Sequence, residues 1–144
     1  MKKIMMFSMM IVAFMLTGCS VDVGLDTSKS EQFADKAEEL GNQFDSTKEK
    51  LKQLEKKETL TSKDQELIVK EIDRVMKSID QFKEEEAPFL AKKVKKVVVK
   101  KLKEIEEVLE GIHEKAEKGT ANHDDVTTII NALTDNFEFN LFGK

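Results

Sequence analysis

Cys19 is the only cysteine of the 144-residue chain, and it closes the stretch Leu16-Thr17-Gly18-Cys19 behind an apolar run. Its thiol is the one nucleophile of that region able to form a thioether. No second cysteine exists, so an intrachain disulfide is excluded whatever the compartment. Other chemistry-bearing residues are sparse. His113 and His123 are the only imidazoles. Glu110 and His113 form a Glu-x-x-His step, but a di-iron helical bundle needs two such steps and further inward carboxylates. Only one step is present, and no acid interrupts the apolar seams described below. With Glu114 or Glu117, His113 could hold no more than a surface metal, and His123 reads as a cap or loop residue. There is no glycine-rich phosphate loop, and the absence of Trp and Tyr removes the usual platforms for carbohydrate. The expectation is therefore no catalytic residue, no resident metal, no cofactor and no enzyme activity.

The second feature is a run of charge. Residues 92 to 103 hold seven lysines and no acid, whereas 104 to 144 carry a local charge of −7. Lys92, Lys93, Lys96, Lys100 and Lys103 are candidate contacts for an anionic surface, lipid or wall polymer. The plainer reading is a solvated helix face paired with acidic neighbours. Because Val94, Val98 and Leu102 are expected to point inward, the lysines should spread over the remaining arc. Nucleic acid is disfavoured by the acidic total of −4 and by a single arginine, Arg74.

Met1-Lys2-Lys3 is a short positive segment, and Ile4 to Leu16 is apolar apart from Ser8. That run falls short of the ~20 residues a membrane-spanning helix needs, and it has the length and charge of a secretory signal. The Leu16-Thr17-Gly18-Cys19 sequence resembles the lipobox of bacterial lipoproteins at all four positions. The resemblance covers residues 1–19 and implies diacylglycerol transfer to the Cys19 sulfur, cleavage between Gly18 and Cys19, and a mature protein held on the outer face of the cell membrane. It implies a second thing, energetic in kind: one acyl chain binds reversibly, and two or more hold firmly. Cleavage would leave 22 basic and 28 acidic residues, a balance of −6.

The elements that carry these residues follow from periodicity. Residues 1–18 form the signal helix, 19–27 the lipidated cysteine and its tether, and 28–144 one helical bundle domain. Eight tether residues span at most about 28 Å, which keeps the body near the membrane. Helix A begins near Ser28 or Ser30, where Ser28 and Glu31 fit a capping box. Its seam runs Phe33, Ala37, Leu40, Phe44, Thr47, Leu51 and Leu54, a heptad spacing weakened by Gly41 and Thr47. Thr61 or Ser62 caps helix B, whose seam is Ile68, Ile72, Val75, Ile79 and Phe82, widened by Val69 and Met76. The segment Glu84-Glu85-Glu86-Ala87-Pro88 predicts a tight reversal within 83–88. The alternative is one long helix kinked at Pro88. Helix C runs from about Pro88 to Lys118 on Ala91, Val94, Val98, Leu102, Ile105, Leu109 and Ile112, and Gly119 ends it. Helix D is short, capped by Asn122 or His123, and buries Val126, Ile129, Ile130, Leu133 and Phe137. Phe139, Leu141 and Phe142 extend this apolar end, which closes the bundle or, less readily, meets the membrane.

The expected fold is all-α: an antiparallel up-and-down bundle of three long helices and a short C-terminal one. In layout the chain resembles small, Lys/Glu-rich helical lipoproteins of unknown function from Gram-positive bacteria. The function expected is that of a membrane-anchored, non-enzymatic interaction or structural protein of the cell envelope, with an envelope protein as candidate partner. The alternative is a lipoprotein that holds a small apolar molecule or a metal between its helices, which a large internal cavity or inward Glu and His would favour.

Overall fold

The computed structural model describes residues 27–135, as four helices. α1 spans Thr27–Lys52, α2 Ser62–Glu84, α3 Lys92–Glu117 and α4 His123–Asp135, of 26, 23, 26 and 13 residues. The expected signal segment, Gly18, Cys19, the tether to Asp26, and Phe137, Phe139, Leu141 and Phe142 lie outside the described residues.

Each helix runs antiparallel to its neighbours in sequence. The first turn of α1 meets the link after α2, with Lys29 Nζ 2.8 Å from Glu86 Oε2. Lys50 near the end of α1 reaches Glu71 of α2. His113 of α3 pairs with Asp73 of α2, and Lys115 with Asp125 of α4. Contacts α1–α2, α2–α3, α3–α4 and α1–α4 close the square. The fold is thus the all-α bundle, three long helices and a short one. Among the described residues, no helix is long and apolar enough to cross a membrane.

The seams supply the core. Phe33, Leu40, Phe44, Leu51 and Leu54 are buried from the first helix, and Ile68, Ile72, Val75, Ile79 and Phe82 from the second. Val98, Leu102, Ile105, Leu109 and Ile112 join them from α3, and Val126, Ile129, Ile130 and Leu133 from α4. Among the described residues the core runs from Phe33 to Leu133, and a chain starting at Ser20 retains that part of it. Phe33 and Phe82 stack obliquely with centroids 5.4 Å apart, sealing the end nearest the α2–α3 link. Leu54 lies beyond the last residue of α1 yet remains buried, because the chain turns back there through Leu54 N–H to Leu51 O.

The ends of the helices use side chains that compete for backbone groups. Thr61 and Asp64 form a reciprocal capping box at α2. Asn122 and Asp125 do the same at α4: Asp125 N–H donates to Asn122 Oδ1 and Asn122 N–H to Asp125 Oδ2, each at 3.0 Å. α3 ends in paired bonds, Thr120 N–H to Lys115 O and Gly119 N–H to Ala116 O, with Gly119 at φ +70°. That left-handed turn is the conformation glycine adopts without a Cβ clash.

The reversal falls where the acids and Pro88 predict it. Glu84 ends α2, Glu85 is extended, and Phe89–Ala91 form a 3₁₀ turn before α3. A kinked single helix is excluded by the antiparallel course of α2 and α3. Two expectations need correction. Helix C starts at Lys92, not at Pro88, because Pro88 is extended (ψ 157°) and its carbonyl closes the 3₁₀ turn with Ala91 N–H. Val94 does not point into the core and is 40% exposed. The reason lies in α4. Val94 and Val97 stand 18 residues, about five turns, before Ile112 and Lys115, on the side of α3 that meets α4. At ~1.5 Å per residue the 13 described residues of α4 reach about 20 Å along an α3 of about 39 Å, short of either valine.

Candidate functional site

The lysines of α3 are the sequence-predicted site that the described residues contain. At about 100° per residue, Lys92, Lys93, Lys96, Lys100 and Lys103 fall within roughly 100° of arc opposite Val98. All five are exposed. The seven lysines together spread over the arc that Val98 and Leu102 leave, and these five share its central face. Lys95 and Lys101 flank it. Lys95 turns towards α2, where its ammonium donates to Lys83 O at 2.7 Å and to Glu85 O. There it caps the carbonyls left open at the end of α2, the charge sign that the helix dipole favours. Lys101 lies 3.6 Å from Glu104. Glu107, Glu110 and Glu114 occupy the same face further along, so α3 is cationic at its start and anionic towards its end.

That order opposes the dipole of α3, whose first turn carries no acid. Cations at a helix N-terminus cost stability, so the lysines are not placed there for the helix. Next to them apolar side chains are exposed: Phe89 is 80% and Leu90 75% exposed in the link, and Val97 65% on α3. Sequence reasoning missed this cluster, because it assigned Phe89 and Leu90 to a regular helix. The signal available was Pro88, which sets the following residues in a tight turn at the end of the molecule.

Among the described residues, the buried carboxylates are paired by side chains and backbone groups of the bundle itself. Glu71 is 1% exposed, although its position next to the α2 seam is polar in sequence. Its carboxylate accepts from Thr47 Oγ1 and Lys50 Nζ at 3.2 Å and from Arg74 Nη1 at 2.7 Å. Gln43 Nε2 donates to Thr47 in turn. This corrects the expectation that no acid interrupts the seams: Thr47 and Glu71 are a buried polar layer between α1 and α2. Asp64 accepts from Lys57 Nζ at 2.7 Å and from Thr61 N–H at 2.9 Å. The lysine bond above all, then the backbone bond, holds its carboxyl below the ordinary 3.8. Lys83 pairs with Glu106 between α2 and α3.

The Glu110–His113 step does not assemble a site. His113 Nε2 lies 3.0 Å from Asp73 Oδ1, and Nδ1 lies 3.7 Å from Glu117. His123 opens α4 beside Asp124. Among the described residues, no group of three His, Cys, Asp or Glu side chains could hold a metal. An open groove of about 670 Å³ separates the first half of α2 from the end of α3, rimmed by Glu66, Lys70, Asp73, Arg74 and Glu117. At its floor Gln65 donates to Ala121 O at 2.8 Å, while its Oε1 has no protein partner. No protein-family model, curated protein or solved structure matches this chain.

Proposed function

We propose that the protein is a lipoprotein of the cell envelope, fixed to the outer face of the membrane by acyl chains on Cys19 after cleavage at Gly18, and that its helical body acts by binding or bracing and not by catalysis. The observation that carries this reading is the four-position fit of Leu16-Thr17-Gly18-Cys19 behind a short apolar run led by Lys2 and Lys3. The body is in keeping with it. Its buried carboxylates, Asp64, Glu71 and Asp125, accept from lysines, arginine, hydroxyls or backbone N–H groups of the bundle itself. An apolar ligand held between helices is less well supported, since the groove beside Gln65 is open and rimmed by charge. The envelope partner is a protein or polymer that meets the exposed helix faces.

Metabolic labelling with a fatty acid tests the anchor. The native chain should take up label and sediment with membranes. Cys19→Ala should take up none and lose its stable attachment or remain uncleaved. Label retained on Cys19→Ala overturns the assignment.

A further inference from the structure

We propose that the α2–α3 link is a second membrane contact: Phe89 and Leu90 enter the interface of an anionic bilayer while Lys92, Lys93 and Lys96 meet its headgroups. The proposal rests on the anchor reading for which membrane the link faces, and it adds a surface to it. Three observations carry it.

Exposure comes first. Phe89 and Leu90 are adjacent large apolar residues, 80% and 75% exposed, in the reversal between α2 and α3. Water-facing apolar side chains at a tip are what an amphipathic interfacial contact uses, with Lys on the polar side.

Charge comes second. Lys92, Lys93 and Lys96 follow within two turns and sit on the outward face of α3. Their place at a helix N-terminus works against the dipole, so the bundle gains nothing from them there. The nearest acids are Glu84, Glu85 and Glu86. Of these, the Glu86 carboxylate pairs with Lys29, and Lys95 donates to the backbone carbonyl of Glu85, so five cations stand beside these three carboxylates at the same end.

Position comes third. Lys29 lies in the first turn of α1 and touches Glu86 of the link. The helix entered from the tether therefore starts beside the exposed pair. A tether of at most about 28 Å is long enough for Cys19 and Phe89 to meet one surface. The acidic part of α3 is carried to the far end, away from anionic lipid.

The test uses the chain from Ser20 to Lys144, which keeps all four described helices and carries no lipid. Phe89→Trp supplies the only tryptophan of the chain. With phosphatidylglycerol vesicles at low salt its emission should shift to the blue, and with phosphatidylcholine vesicles it should not. The affinity should fall as ionic strength rises to about 0.15 M. In vesicle sedimentation Phe89→Asp with Leu90→Asp should weaken binding at least about tenfold. Charge reversal of Lys92, Lys93 and Lys96 should weaken it roughly a hundredfold. Unchanged circular dichroism shows that each variant still folds. Failure of the native sequence to bind phosphatidylglycerol vesicles overturns the proposal. So does binding that survives both sets of substitutions, or binding that is lost on removing residues 136–144 and not on changing the link. None of these results touches the fatty-acid label on Cys19, and loss of that label would leave vesicle binding by this chain intact.

Discussion

Lys29 Nζ and Glu86 Oε2 are 2.8 Å apart across 57 residues of chain. Both side chains are largely exposed, so the pair adds little stability. Its meaning is topological: the entry of α1 and the α2–α3 link share one end of the bundle. Phe33 and Phe82 seal the core just inside that end, Phe89 and Leu90 project from it, and five lysines of α3 begin there. The far end carries the two capping boxes and the acidic half of α3.

The two described glycines of α3 and its cap make opposite predictions. Gly119 sits at φ +70°, so Gly119→Ala should destabilise by about 1–2 kcal/mol through left-handed strain. Gly111 is helical, with no atom within 4 Å of an added Cβ, so Gly111→Ala should stabilise by up to ~1 kcal/mol. Urea midpoints measure both. Equal effects of one sign would contradict the assigned end of α3.

Glu71 predicts a dependence on what replaces it. Glu71→Ala strands the Thr47 hydroxyl in a buried layer and should cost about 2–3 kcal/mol. Glu71→Leu with Thr47→Val replaces the polar layer by apolar groups and should recover most of that loss, because Lys50 and Arg74 are about 40% exposed and can return to water. A double variant as weak as Glu71→Ala would show that the layer stabilises by more than satisfied burial.

Asp64 predicts an acid-limb effect. Its carboxyl is held below 3.8 in the folded chain by Lys57 and Thr61. The stabilisation it gives is complete above its unfolded value and is lost as pH falls through the folded one. Asp64→Asn should therefore show a flatter decline of the urea midpoint below about pH 4 than the native chain. Parallel declines would contradict the Lys57 contact.

Much of the fold was legible in the sequence, and the reasons for the rest are specific. The seam residues at heptad spacing are buried as their period requires, and Thr61, Asn122 and Gly119 mark helix ends by chemistry that is local. Val94 was misplaced because periodicity identifies a side of a helix and says nothing of how far the partner extends along it. Thr47 read as a weakness and Glu71 did not register, since each is apolar-incompatible alone and only their pairing across α1 and α2 allows burial. The exposure of Phe89 and Leu90 depends on where α3 begins, which Pro88 shifts by about one turn from the expected start. Cys19 shows the reverse case: its motif is readable in four residues, and it lies outside the described helices.

The intact mass of the protein extracted from membranes decides whether Cys19 carries lipid. The expected species begins at Cys19 and carries the added mass of a diacylglyceryl group on its thioether, with residues 1–18 gone. A membrane-extracted chain that retains residues 1–18 with an unmodified Cys19 thiol would contradict it.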